Sequence, residues 1–129
     1  FFMMLRAMSL LAVLSACSAI IQVPDIPLVH IAREPDGTET VFTGFIKPKM
    51  DFSSTFLTRS SSGIECQGQS SNKGAMTMNC TNGWRASITV PKGLYGKPDG
   101  SYADVANGTG VAVGWGDGAD VALLRSLFE

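Results

Sequence analysis

The chain has 129 residues, a formal net charge of −1, three cysteines and a single histidine. That is one domain's length, and so even a charge balance, with no basic stripe to displace counterions from phosphates, excludes a nucleic-acid-binding surface. Apolar residues make up 45% of the chain, and glycine is abundant, 14 in all, with many at turn positions, a composition that points to a turn-rich all-β fold rather than to disorder.

Met4-Leu5-Arg6 supplies a positive n-region, Ala7 to Ala16 a short apolar run, and small residues precede Cys17. This is a secretory signal, too short to be a spanning helix. Phe1 and Phe2 precede the first methionine, leaving Met3, Met4 or an upstream residue as the start. Leu14-Ser15-Ala16-Cys17 resembles the lipobox of bacterial lipoproteins. The resemblance covers the first 17 residues only and implies cleavage before Cys17, diacylglycerol on its sulfur and acylation, palmitate included, of the new amino terminus. Several acyl chains give an anchor that one chain would not. Ser18 rather than Asp follows the cysteine, which by analogy with the family implies retention in the outer membrane, facing the periplasm. With Cys17 lipidated, an even pair of cysteines remains for an oxidising compartment.

Residues 17–37 read as the lipidated cysteine and an extended tether, because Pro24 and Pro27 break any helix. Within it, Ile26 to Ala32 is apolar enough for a strand or a partner-binding segment, and packing onto its own domain is the favoured reading. Pro35-Asp36-Gly37 is a turn signal, Thr38 to Ile46 reads as the first strand of a β-domain spanning 38–129, and Lys47-Pro48-Lys49 marks a polar connection.

The centre of that domain is Ile64 to Cys80, which reads as a disulfide-stapled hairpin. A three-residue loop ending in glycine commonly closes a type I turn with a left-handed residue, and Asn72-Lys73-Gly74 fits. It sets Ser71 opposite Ala75 and Cys66 opposite Cys80, within bonding reach if that pair is a non-hydrogen-bonded one. Met76, Met78 and Cys80 then share one face. Thr81-Asn82-Gly83 repeats the device, placing Trp84, Ala86 and Ile88 opposite Cys80, Met78 and Met76. A two-residue Asn-Gly turn would instead put Arg85 and Ser87 among the methionines, and is rejected on that pattern. Ser61-Ser62-Gly63 pairs Arg59 with Glu65 and Phe56 with Gly68, where a ring covers a position without a side chain. A four-strand meander results, Phe52 to Ser60, Ile64 to Ser71, Ala75 to Cys80 and Trp84 to Val90. A loop the size of the one closed by Cys66 and Cys80 is worth about 3 kcal/mol in chain entropy.

Pro91 to Gly100 is an exposed loop carrying Tyr95 and Lys97. Ser101 to Ala106 and Gly110 to Trp115 are strands, the second with Val111, Val113 and Trp115 on one face. Gly116-Asp117-Gly118 is either a fourth loop of the same type, followed by a strand from Ala119 to Leu124, or the lead into a short helix capped by Asp120. The helix is preferred, since Val121, Leu124 and Phe128 fall on one side. The expected fold is a small antiparallel meander, open or barrel-like, with one hairpin disulfide and a short C-terminal helix.

No catalytic set emerges. Gly108-Thr109-Gly110-Val111-Ala112-Val113-Gly114 lacks both the glycine spacing and the βαβ context of a dinucleotide loop. His30 is the only histidine, which leaves zinc chemistry and a Ser-His-Asp triad without partners. Asp99, Asp104, Asp117 and Asp120 lack the alternating oxygen ligands of a calcium loop and read as turn and cap residues. No cofactor or metal is expected. Trp84 reads as core beside the disulfide. Tyr95, Lys97 and Tyr102 are the candidate partner surface, with Trp115 a further candidate although core is its favoured place.

The resulting expectation is a non-enzymatic envelope lipoprotein, held to the membrane through Cys17, that binds or scaffolds an envelope protein or peptidoglycan. The alternative is a periplasmic hydrolase inhibitor. Asn107-Gly108-Thr109-Gly110, Trp115 and Asp117-Gly118 are loosely similar to the inhibitory loop region of the lysozyme inhibitors, small periplasmic lipoproteins with a disulfide and an antiparallel barrel, although the serine and lysine of their motif have no clear match here.

Overall fold

The computed structural model describes residues 24–106 and 109–129, so the signal sequence, Cys17 and the Asn107-Gly108 pair lie outside the described residues. Eight strands, β1 (Ile26–Arg33), β2 (Glu39–Pro48), β3 (Ser54–Ser60), β4 (Glu65–Ser70), β5 (Ala75–Cys80), β6 (Arg85–Thr89), β7 (Gly100–Ala106) and β8 (Thr109–Trp115), precede a 3-10 turn (Gly116–Gly118) and one helix, α1 (Val121–Ser126). All pairings are antiparallel, in the order β6-β5-β4-β3-β2-β1-β8-β7. The sheet curls into a nearly closed barrel. Trp84 beside β6 meets Phe42 of β2 edge to face at 6.5 Å, and one buried cluster joins Met76 and Met78 of β5 to Val113 and Trp115 of β8.

The meander has the expected register. Cys66 pairs with Cys80, Met78 with Ala86, Met76 with Ile88, Arg59 with Glu65 and Phe56 with Gly68. In the 72–74 loop Ser71 N donates to Ala75 O at 2.9 Å and Gly74 N to Ser71 O at 3.2 Å, with Gly74 at φ +87°. The same bonds recur around Gly63 and Gly83, and also around Pro35-Asp36-Gly37, which makes that turn a further member of the series. Gly68 lies beneath the Phe56 ring, as the sequence indicated. A methyl group there would collide with Phe56 Cζ and with the Thr77 carbonyl. Gly68→Ala is therefore expected to cost roughly 1–3 kcal/mol, because the backbone oxygen cannot rotate away as a side chain would. Urea unfolding checks this.

The favoured packing of Ile26 to Ala32 onto its own domain holds, and the start of the domain moves with it. Ile26–Arg33 is a central strand, flanked by β2 and β8, so the domain starts well before residue 38 and the segment from Thr38 forms its second strand. The two faces of β1 serve different cores. Leu28 points into the barrel, while Val29 and Ile31 point outward and are covered, with Ala112, by Leu124, Val121 and Phe128 at the C-terminus. Pro27 is tolerated because β8 pairs with β1 only from Leu28 onward, leaving no ladder bond for Pro27 to donate on that side.

The C-terminal helix is as preferred from sequence. Asp120 caps it, accepting from Ala122 N and Leu123 N at 2.9 and 3.3 Å, and Leu124 is fully buried. Its far end is held by Glu39, which accepts from both Arg33 and Arg125, and by the Arg33 guanidinium lying 4.2 Å over the Phe128 ring. Those two arginines hold the Glu39 carboxyl below its ordinary range, Arg33 contributing most.

Candidate functional site

Alternation along β1 decides where the single histidine goes. Leu28 and His30 face the barrel interior, and His30 is 2% exposed, which corrects its assignment to a tether. Its ring stacks on Phe42, its partner across the β1–β2 ladder, at 4.5 Å and 15°. Its Nε2 shares a 2.7 Å hydrogen bond with Thr58 Oγ1 on β3. Gly44, on the intervening strand and opposite Thr58, has no side chain to block that reach. Burial lowers the imidazole to about 4, so it is neutral at neutral pH.

His30 forms the floor of a cleft of about 390 Å³ at the far end of the barrel, opposite the end where the described chain enters at Pro24. Phe42, Met78, Cys80, Trp84 and Val111 form its walls. The disulfide braces one wall. Thr81 N donates to Glu65 O at 2.8 Å, so the neighbouring Cys66–Cys80 pair is the non-hydrogen-bonded one, with Cα atoms 4.0 Å apart and the sulfurs joined. The lining is mostly apolar, with the neutral His30 at its base and with Arg33, Glu34, Arg85 and Thr109 also on it, which suits an aromatic moiety that carries polar groups. Among the described residues, no three His, Cys, Asp or Glu gather as metal ligands.

The four candidate surface residues divide. Tyr95 and Lys97 are exposed in the Pro91–Asp99 loop at the opposite, near end. Tyr102 of β7 is partly buried against the barrel core. Trp115 takes its favoured place in the core rather than at the surface, since it is 7% exposed and its Nε1–H donates to the Lys97 carbonyl at 3.1 Å, which ties down the loop. The cleft residues were not legible as a group, because they come from five strands and two loops. The one available signal was a histidine within an apolar run. Comparisons with protein-family models, curated proteins and solved structures found no match.

Proposed function

We propose that this protein is a non-enzymatic cell-envelope lipoprotein, anchored through Cys17 and presenting the far-end cleft to the periplasm as a binding site. The observation that carries the reading is the relation of two ends. The chain enters the barrel beside Ile26, paired with Ile46, whereas the cleft opens at the other end, beside Arg33. A bilayer anchor on the first would leave the second free to receive a partner. The cleft suits an aromatic group with polar substituents, carried by an envelope protein or by peptidoglycan, with Trp84 and Phe42 supplying the apolar contact and Arg33, Glu34 and Arg85 the polar one.

Expression of wild type and Cys17→Ala in a bacterium, followed by intact mass and membrane partitioning, tests the reading. Wild type is expected to lose residues 1–16, gain acyl mass and enter the membrane fraction, while the variant does neither. Two soluble, unmodified proteins would end the anchor reading. Recovery of a lysozyme with the wild-type protein would favour the hydrolase-inhibitor reading over a scaffold.

A further inference from the structure

All five lysines, Lys47, Lys49, Lys73, Lys92 and Lys97, stand at the near end of the barrel and are exposed. Lys47 is near the end of β2 and Lys49 opens the β2–β3 connection, one lysine is in the β4–β5 loop and two are in the loop before β7. The arginines of the described residues gather toward the far end, where Arg33, Arg59 and Arg125 pair with Glu39 and Glu65. No lysine among the described residues joins an ion pair. Asp25, Asp51, Asp99 and Asp117 share the near end, but Asp51 turns its carboxylate back onto Ser53 N and Oγ, at 3.0 and 2.6 Å.

The loop between Lys49 and Ser53 follows the bonding pattern of the glycine-closed hairpins. Lys49 N donates to Ser53 O at 2.8 Å and Phe52 N to Lys49 O at 3.1 Å. Its third position is occupied by Phe52, at φ +67°, the one non-glycine residue with positive φ among the described residues. A bulky side chain is strained in that conformation, and Phe52 recovers nothing inside the protein because it is 86% exposed. Met50 beside it is 76% exposed, and Phe45 and Leu57, also exposed, continue an apolar surface along the outer side of the same hairpin.

We propose that this end of the barrel docks on an anionic lipid leaflet, with Phe52 and Met50 entering the headgroup region and Lys47 and Lys49 meeting the phosphates. The docking rests on the anchor reading. The seven positions from Cys17 to Pro24 span at most about 25 Å, so an acylated Cys17 holds this end, and no other, close to the bilayer. A tip that combines lysines with an exposed aromatic and a thioether matches the interface between headgroups and acyl chains. With the near end against lipid, the cleft with His30 and Trp84 faces away from it.

The test uses the acylated protein in vesicles of phosphatidylcholine with or without phosphatidylglycerol, doped with brominated lipid, and carrying either Phe52→Trp or Asn82→Trp. Intact mass first establishes acylation. Bromine is expected to quench most of the emission added at position 52 and almost none at 82, more strongly with phosphatidylglycerol. Changing Lys47 and Lys49 to Gln removes that lipid dependence, each lysine being worth about fivefold in docked over undocked protein. Phe52→Gly unfolds at higher denaturant than wild type, which separates lost docking from lost folding. Equal quenching at 52 and 82 in a protein that carries its acyl chains overturns the docking and leaves the anchor. Absence of acyl mass overturns both, and protection of residues 47–53 in envelope extracts without lipid quenching would put a protein partner there instead.

Discussion

Replacing both Cys66 and Cys80 by Ala is expected to lower the unfolding free energy by about 3 kcal/mol, with the denaturant midpoint falling and the slope rising as the unfolded chain, freed of its crosslink, exposes more surface. The bridge closes a sequence separation of 14 residues, and its main effect is to restrict the unfolded chain. The cost is large for this protein because a domain of its size holds roughly 5–15 kcal/mol in all. In thermal melts the same loss is roughly 10–20 °C. Cys66 is fully buried, so the double variant also loses packing where the β4–β5 hairpin meets the barrel core. Cys80 lines the cleft beside Trp84, and removal of the bridge should broaden Trp84 emission along with the stability loss. Chemical denaturation of the wild type with and without reductant gives an independent reading. A change under 1 kcal/mol in both experiments would mean that β4 and β5 hold their register without the staple.

The meander was legible because its signals are local. A glycine at the third position of each short loop fixes the turn, the turn fixes the register, and the register puts Met76, Met78, Ala86 and Ile88 on one side. β1 was harder to place. Val29 and Ile31 are covered by the helix while Leu28 and His30 face the barrel, so the run is apolar on both sides and shows no period-two alternation. Two prolines nearby strengthened the impression of a tether. Once β1 is missed as the strand that joins β2 to β8, closure of the sheet is out of reach, and the cleft that depends on closure goes with it. Trp115 was half legible. Its side of β8 and its place in the core were expected correctly, but the long-range bond to Lys97 O is encoded by no local pattern. Phe52 was hidden for the opposite reason, since a large aromatic in a glycine slot breaks the rule by which the other loops were found.

The polar architecture separates what holds the fold from what is left free. Glu39 gathers Arg33 and Arg125 where the helix ends, and Arg59 meets Glu65 at 2.7 Å across β3 and β4. These pairs are partly exposed and each is worth little alone. Their arrangement still matters for location, because it leaves the far end nearly neutralised and the unpaired cations at the near end. The arrangement proposed above, with a bilayer at the near end and a partner at the far end, draws on that asymmetry rather than on net charge.

Acidification should destabilise the protein before its carboxylates titrate, and His30 is the cause. In the unfolded chain an imidazole takes up a proton near pH 6.5. In the fold, burial delays protonation to about pH 4. Between those values the unfolded state binds the extra proton, so stability falls as the pH falls, at roughly 1.4 kcal/mol per unit and about 3 kcal/mol over the window. Below about pH 4 both states are protonated and this contribution stops growing. Glu39, whose carboxyl is held low by Arg33 and Arg125, adds a later loss as the pH drops through the carboxylate range. Urea unfolding at several pH values between 7 and 4, for wild type and His30→Gln, isolates the imidazole, because the carboxylate contribution is common to both. Gln retains an amide able to bond Thr58 Oγ1 while removing the titration, so the variant's stability should be far flatter across the window. It should also be lower than wild type at pH 7, since the stack on Phe42 at 4.5 Å is lost. Parallel curves for the two proteins would show that His30 is open to water and would remove the neutral floor from the cleft.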